Sequence, residues 1–432
     1  MKTATINLRG MAACLALLCL LASGTPQAQA QARELFTPLP PQQLTEQWSG
    51  AKAPLAKRLN NIRQRPTTLS LSLVYINVDA LGDNNLRMTW SGTAPLDFNK
   101  SKVETRSAND FTWYGSLASV PGQAILVVHG GTITGSIRES GNLYRVESVG
   151  DGVHAVIKVD PARFPPEHPP SFKERERRGG GSASITADRP RAAGPVGIDI
   201  LVAYTAAARG AVGDIGAIIQ LAMDEANQSY VNSAIGIRLT MVDSFEMDNY
   251  AESGKDYDTI VADFVAAPTV RSRRDKSGAD LAALVVDQSD YCGMADAIQA
   301  TEATAFAVVH YDCATGYYSF AHELGHLQGA RHDPDSDPTN QPFAWGHGMQ
   351  YNTAPAWRTI MAYNCPGAGC PRLQYWSNPA VNYNGIPMGT AASNDNARVL
   401  NATAGAIAGF RSRPPAQQQV DAVKDSAAKG KR

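Results

Sequence analysis

Residues 322–333 read HELGHLQGARHD and carry three histidines and a glutamate at spacings that suit a metal-activated water. Ser319 can cap a helix that starts at Phe320. Within it His322 and His326 stand four residues apart, so both imidazoles leave one face about a turn from each other. Two ligands of one zinc ion need that spacing. Glu323 is rotated about 100° from His322, so it stays off the metal and can serve as base to a water held there. Catalytic zinc generally takes three protein ligands and keeps a fourth position for water. His332 is the candidate third ligand, because Gly329 can adopt a positive φ, stop the helix and swing the chain back beneath the metal. A bare HExxH is a weak signal that an ordinary helix with satisfied histidines also explains; Gly329 and His332 in register make it specific. Three imidazoles and an open position suit Zn2+ best, although imidazole sites also hold other transition metals. No acidic loop with calcium-ligand spacing stands out.

The elements around this stretch must hold it in place. IDILVAYT, GIRLTMVDSF, ADLAALVVD and TAFAVVHYD read as strands, with helices over residues 214–232 and in DYDTIVADFVA. Strand and helix in alternation predict an α/β (α+β) domain with a mixed, mainly parallel sheet covered by helices. Residues 394–410 can form a closing helix. Upstream, LSLSLVYINV, FTWYGSLA, QAILVVHG and VHAVIKVD alternate between glycine turns, predicting a small antiparallel β unit over about residues 66–160. Between the two parts, PARFPPEHPP, KERERRGGGS and ADRPRAAGP combine prolines, charges and glycines as an exposed linker does. Residues 175–178 are either a solvated charged patch or a processing site.

Residues 1–32 resemble a secretory signal: Lys2 and Arg9 precede an apolar run over residues 11–22, then small residues lead to Ala30. The run is short for a membrane span. Outside it remain Cys292, Cys313, Cys365 and Cys370, an even number that reads as two disulfides in an oxidising compartment. Of three connectivities we favour Cys292–Cys313 with Cys365–Cys370; four free buried thiols are the alternative. Lysine plus arginine number 39 against 40 acidic residues, so neither nucleic acid nor an anionic membrane is expected as a main partner.

HELGHLQGARH resembles the HExxHxxGxxH signature of the metzincin zinc endopeptidases. That resemblance makes Met361, in TIMAY, the methionine of the turn beneath the metal. Asp333 after the third histidine resembles reprolysins, and Tyr363 resembles the tyrosine that astacins and serralysins place near the metal, with plain packing as its rival role. CATGYYSFAHELGHLQGARHD, WRTIMAYNC and YWSNP together are most similar to the bacterial peptidyl-Asp metallopeptidases, over roughly residues 195–411. The resemblance implies an exported zinc endopeptidase cutting polypeptides on the N-terminal side of aspartate, and of glutamate or oxidised cysteine. Such a preference asks for a cation in the pocket, and Arg358 and Arg372 flank the turn where it would lie. It also implies that TAFAVVHYD is the edge strand for substrate, with His310 and His347 as packing or hydrogen-bonding residues. The implied layout is a signal peptide at 1–32, a β-rich prosegment at 33–170, a linker at 171–194, the protease domain at 195–411 and a disordered tail at 412–432. The prosegment would inhibit the enzyme from within the chain. It would do so without a blocking cysteine, since none occurs between residues 33 and 291. Reprolysin-like or astacin-like specificity is the alternative, and an inactive zinc-holding adhesion or inhibitory module is a further one that an intact Glu323 opposes.

Overall fold

In the computed structural model, residues 32–40, 53–172 and 194–412 are described. The expected signal peptide, the residues 175–178 and the tail lie outside them, apart from residues 32 and 412 at their borders. None of the described helices is long and apolar enough to cross a membrane.

Alternation of apolar residues builds the N-terminal part, which is larger than the small unit expected from its four clearest strands. Its sheet has ten strands, and all but one of the pairings are antiparallel. Short pieces of the first residues supply both of its edges: Arg33–Glu34 pairs with Asn85–Met88, and Phe36–Pro38 pairs with Thr68–Ile76. Residues 33–38 thereby close the sheet on itself. Strand Gly122–His129 explains why several of these strands read as continuous apolar runs. Ala124, Leu126 and Val128 face the enclosed core with Trp113 and Val146, while Ile125 and Val127 face outward onto Ala217 and Leu221. Both faces are covered, so the polar positions of an ordinary half-solvated strand disappear.

Ala217 and Leu221 belong to helix Ile215–Asn232, which Asp214 caps by accepting the Ala217 amide. The helix covers a five-stranded sheet whose spatial order is Ile237–Glu246, Val196–Tyr204, Leu281–Val286, Phe306–His310 and Gly293–Ala295. The first four strands run parallel; the last is antiparallel to its neighbour. Leu281–Val286 is buried at all six positions, as the middle of a sheet covered on both faces requires. The edge therefore differs from the expectation. Phe306–His310 lies inside the sheet, and the free edge is the three-residue strand Gly293–Ala295, too short to show a periodicity.

The contact between the two parts is polar as well as apolar. Arg145 donates to the Asp312 carboxylate and to the Asp312 and Thr315 carbonyls, and Thr67 donates to Asp312 at 2.7 Å. Burial alone would push the Asp312 carboxyl up, but the Arg145 and Arg65 guanidiniums overcome it and hold the group at about 2. On the neighbouring helix the balance reverses. Burial pushes Glu225 up to about 7, despite hydrogen bonds from Ser136 and the Gly316 amide and the charges of Arg138 and Arg145. Asp224, bonded by Thr112, is pushed up to about 6, again by burial first.

A carboxyl whose folded pKa lies above its unfolded value stabilises the fold fully below the unfolded pKa and loses that advantage as pH rises through the folded one. From Glu225 the loss runs between its ordinary 4.5 and about 7, on the order of 3 kcal/mol at 1.36 kcal/mol per unit. Glu225→Gln is expected to make the fall in melting temperature over that range shallower, with Asp224, Asp280 and Asp287, each pushed up to about 6, contributing to what remains. Melting curves at several pH values read this, and an unchanged slope in the variant contradicts it.

Candidate metal centre

Helix Ser319–Leu327 carries the first two histidines. The chain enters it through Tyr318 in the left-handed conformation, φ 67°, so Ser319 is its first residue rather than its cap, and the Ser319 hydroxyl accepts no amide there. The exit follows the expected course. Gly329 has φ 99°; its amide donates to the His326 carbonyl at 2.8 Å and the Ala330 amide to the Gly325 carbonyl at 2.9 Å. This double closure ends the helix on a left-handed glycine and turns the chain back toward it.

The turn brings His332 against His322 and His326. Their three Nε2 atoms lie 3.0, 3.1 and 3.2 Å apart, in fully buried surroundings. His322 Nδ1 meets the Ile360 carbonyl at 2.8 Å and His326 Nδ1 the Ala330 carbonyl at 2.9 Å. A carbonyl only accepts, so each of these Nδ1 atoms carries the proton and each Nε2 presents a lone pair. Burial pushes all three imidazoles well below their usual pKa, which keeps them neutral. Converging lone pairs at such spacing repel unless a cation lies among them, and ligands about 2.0–2.1 Å from zinc have comparable separations. The donor set fits zinc.

The turn that carries Met361, expected as the Met-turn, packs against the same helix. Met361 is fully buried, and its Sδ would stand 2.8 Å from a Cβ on Gly325, with the Trp376 ring at 2.6 Å. Asp333 explains its own place: Oδ2 accepts the Tyr363 amide at 2.9 Å and Oδ1 the Ser336 amide at 3.1 Å. It thus ties the loop after the third histidine to the turn. His347 holds the same loop through the His332 carbonyl at 2.8 Å. His310 is buried outside the cluster, and burial pushes it down to about 4.

Glu323 is fully buried, and burial pushes its carboxyl up, with His168 opposing. It lies against the edge strand so closely that a Cβ on Gly293 would be 2.6 Å from Oε1. Disulfide Cys292–Cys313 anchors the start of that strand, and Cys365–Cys370 closes a loop after the Met-turn.

Arg358 and Arg372 are both 2% exposed rather than on the surface, and they flank Tyr317. Arg372 Nη1 donates to the Tyr317 carbonyl at 2.9 Å, and Arg358 donates to the Tyr317 hydroxyl at 2.9 Å and the Ala362 carbonyl at 2.6 Å. Between them sits the carboxylate of Glu167, bridged to Arg372 and 3.8 Å from Arg358.

Sequence reasoning missed Glu167 and His168, because the composition of PARFPPEHPP reads as exposed linker. Phe164, Glu167, His168 and Phe172 are instead buried. His168 joins the three histidines in one cluster whose nitrogens all lie within 4.8 Å of one another. Its Nε2 is 3.0 Å from Glu323 Oε1, and its Nδ1 is 3.1 Å from the Tyr363 hydroxyl. The available signal was two phenylalanines four residues either side of a histidine, since aromatic side chains are rarely left on a solvated linker.

Residues 196–377 match the Reprolysin_5 model of Metallo-peptidase family M12. The chain is 40% identical over 385 residues to the Peptidyl-Asp metalloendopeptidase of Xanthomonas campestris pv. campestris, covering 84% of this chain and 91% of that one. Identity to a protein of the same name from Stenotrophomonas maltophilia is 39% over 408 residues, 89% of this chain and 95% of that one. To that of Pseudomonas fragi it is 44% over 187 residues, 43% of this chain and all of the relative.

Close approach of the site helix to the turn gives a test. Gly325→Ala must displace the Trp376 ring or Met361 and is expected to destabilise the protein by about 1–3 kcal/mol. Gly405→Ala, on an exposed helix position with nothing within 4 Å of the new Cβ, is expected to stabilise by roughly 0.5–1 kcal/mol. Chemical denaturation of both variants checks the contrast, and equal effects refute it.

Proposed function

The chain belongs to the peptidyl-Asp metalloendopeptidase family and is a zinc metalloendopeptidase, and from that premise we propose that it is exported and cleaves polypeptides on the N-terminal side of aspartate, accepting glutamate and oxidised cysteine less readily. The observation that carries the specificity is the buried pairing of Arg372 with the Glu167 carboxylate beside the metal centre. A carboxylate taken out of water needs such a partner. Between the two arginine candidates, Arg372 is the better. It bridges the carboxylate directly and spends only Nη1 elsewhere, on the Tyr317 carbonyl, whereas Arg358 stands 3.8 Å away with both terminal nitrogens engaged, on the Ala362 carbonyl and the Tyr317 hydroxyl.

When bound by His322, His326 and His332, zinc supplies a Lewis acid that lowers the pKa of a water and polarises a peptide carbonyl. Glu323 takes the water's proton on its carboxylate and passes it to the leaving amine. The Tyr363 hydroxyl, 3.1 Å from His168 Nδ1, would donate to the oxygen that gains charge. Edge strand Gly293–Ala295 binds the substrate main chain by hydrogen bonds, and Arg372 fixes which residue follows the scissile bond. The apolar run at residues 11–22 and the two disulfides support export. The N-terminal sheet is the prosegment and internal inhibitor, with residues 171–194 joining it to the protease domain at 195–411; its buried part reaches at least Phe172.

The decisive experiment digests an unfolded protein with the form freed of its N-terminal part and sequences the new N-termini. A strong excess of aspartate is expected, and a scatter of residues overturns the reading. Arg372→Met is expected to lower kcat/KM on aspartyl substrates about 100-fold, the loss of one partner of a buried charge pair. Glu323→Gln is expected to keep one zinc per chain by elemental analysis while turnover falls on the order of 10³-fold or more. Zinc lost along with activity would contradict its role as base.

A further inference from the structure

We infer that residues 166–168 hold the unprocessed chain inactive as a built-in pseudo-substrate: Glu167 fills the arginine pocket, and His168 takes the metal position that catalysis reserves for water. This deepens the proposed function and rests on it for the metal and the acid pocket.

Each part of the catalytic apparatus is engaged by this segment. Glu167 lies between Arg372 and Arg358 as the side chain of a substrate aspartate would. The main chain is held at the edge strand: the Cys292 amide donates to the Pro166 carbonyl at 2.8 Å and the Gly293 amide to the Glu167 carbonyl at 3.0 Å. Those amides lie at the start of the edge strand that the proposed function assigns to substrate. His168 then adds a fourth imidazole to a cluster of three, all with nitrogens within 4.8 Å of one another. With zinc bound, four imidazoles would supply the four ligands it usually takes and leave no position for water. The same ring stands beside the base and the tyrosine: with Nδ1 donating to the Tyr363 hydroxyl at 3.1 Å, Nε2 keeps its lone pair for the metal position and has the two Glu323 oxygens 3.0 and 3.3 Å away.

Aromatic side chains on both flanks secure the segment. Phe164 stacks on Tyr317 at 4.0 Å, and Phe172 stacks on His168 itself at 4.1 Å and reaches His326 at 4.9 Å. The peptide thus lies across the cleft, with His168 where the attacking water would stand and against the base that would take that water's proton. Because the segment continues into the N-terminal sheet, a cut within residues 173–193 would let it leave with that sheet.

The test replaces zinc by cobalt(II) in the full, unprocessed chain and titrates acetohydroxamate, a small metal-binding probe, while recording the visible spectrum. The wild type is expected to bind the probe at least about tenfold more weakly than His168→Ala, and its spectrum before addition is expected to differ from the variant's because a nitrogen ligand has given way to water. Glu167→Gln is expected to shift probe affinity in the same direction with the initial spectrum kept. A second comparison needs no substitution: wild-type protein cut within residues 173–193 and freed of its N-terminal part is expected to bind the probe as His168→Ala does. Equal probe affinity and identical spectra before and after that removal overturn the inference, even if aspartate still dominates the new N-termini in the digest. Conversely, a digest without aspartate preference beside a tenfold gain on removal refutes only the specificity.

Discussion

Imidazole nitrogens that converge in a buried space repel unless a proton or a cation lies among them, and much of the C-terminal part is arranged to impose that convergence. Two of the imidazoles are set by helix geometry and the third by the left-handed closure at Gly329. Carbonyls of Ile360 and Ala330 then decide which ring nitrogen faces inward, so the metal shell is specified partly by backbone from the Met-turn. Asp333 and His347 fix the loop that bears His332. Space for this arrangement comes from the absence of side chains: Gly325 lets the turn approach the helix, and Gly293 lets Glu323 lie against the edge strand.

The N-terminal sheet meets this apparatus as a second body with two apolar faces. One face encloses its own core; the other packs on helix Ile215–Asn232. Charges within that contact fare according to their partners. Asp312 keeps its charge because Arg145 and Arg65 surround it, whereas burial dominates at Glu225 and Asp224. A buried ion pair adds little net stability, since desolvation offsets much of its attraction, whereas removal of one partner strands a charge. Arg145, Arg65 and Thr67 all meet Asp312 from the N-terminal part.

Spacing along one helix is a local property, so His322, Glu323, His326 and the glycine-turned His332 were legible in the residues themselves. So were the strands and helices of the mixed α/β part, whose periodicity is strong, and the candidacy of Met361 and the two arginines through resemblance. The size of the N-terminal sheet was not, because strands buried on both faces lose the alternation that marks them and short ones have too few residues to show it. The edge of the five-stranded sheet was misplaced for the same reason: Gly293–Ala295 spans three residues, and the longer run at Phe306–His310 hides it.

What the sequence determined by itself is the chemistry of the centre, since ligand type, spacing and the helix stop are encoded within a dozen consecutive residues. What only the tertiary structure decided is which groups from elsewhere share that centre. Glu167 and His168 stand 205 and 155 residues from Arg372 and Glu323 along the chain, inside a stretch whose prolines and charges suggest exposure. Their burial depends on the packing of Phe164 and Phe172 against the protease part, and no local pattern carries information about a surface formed by residues so far away.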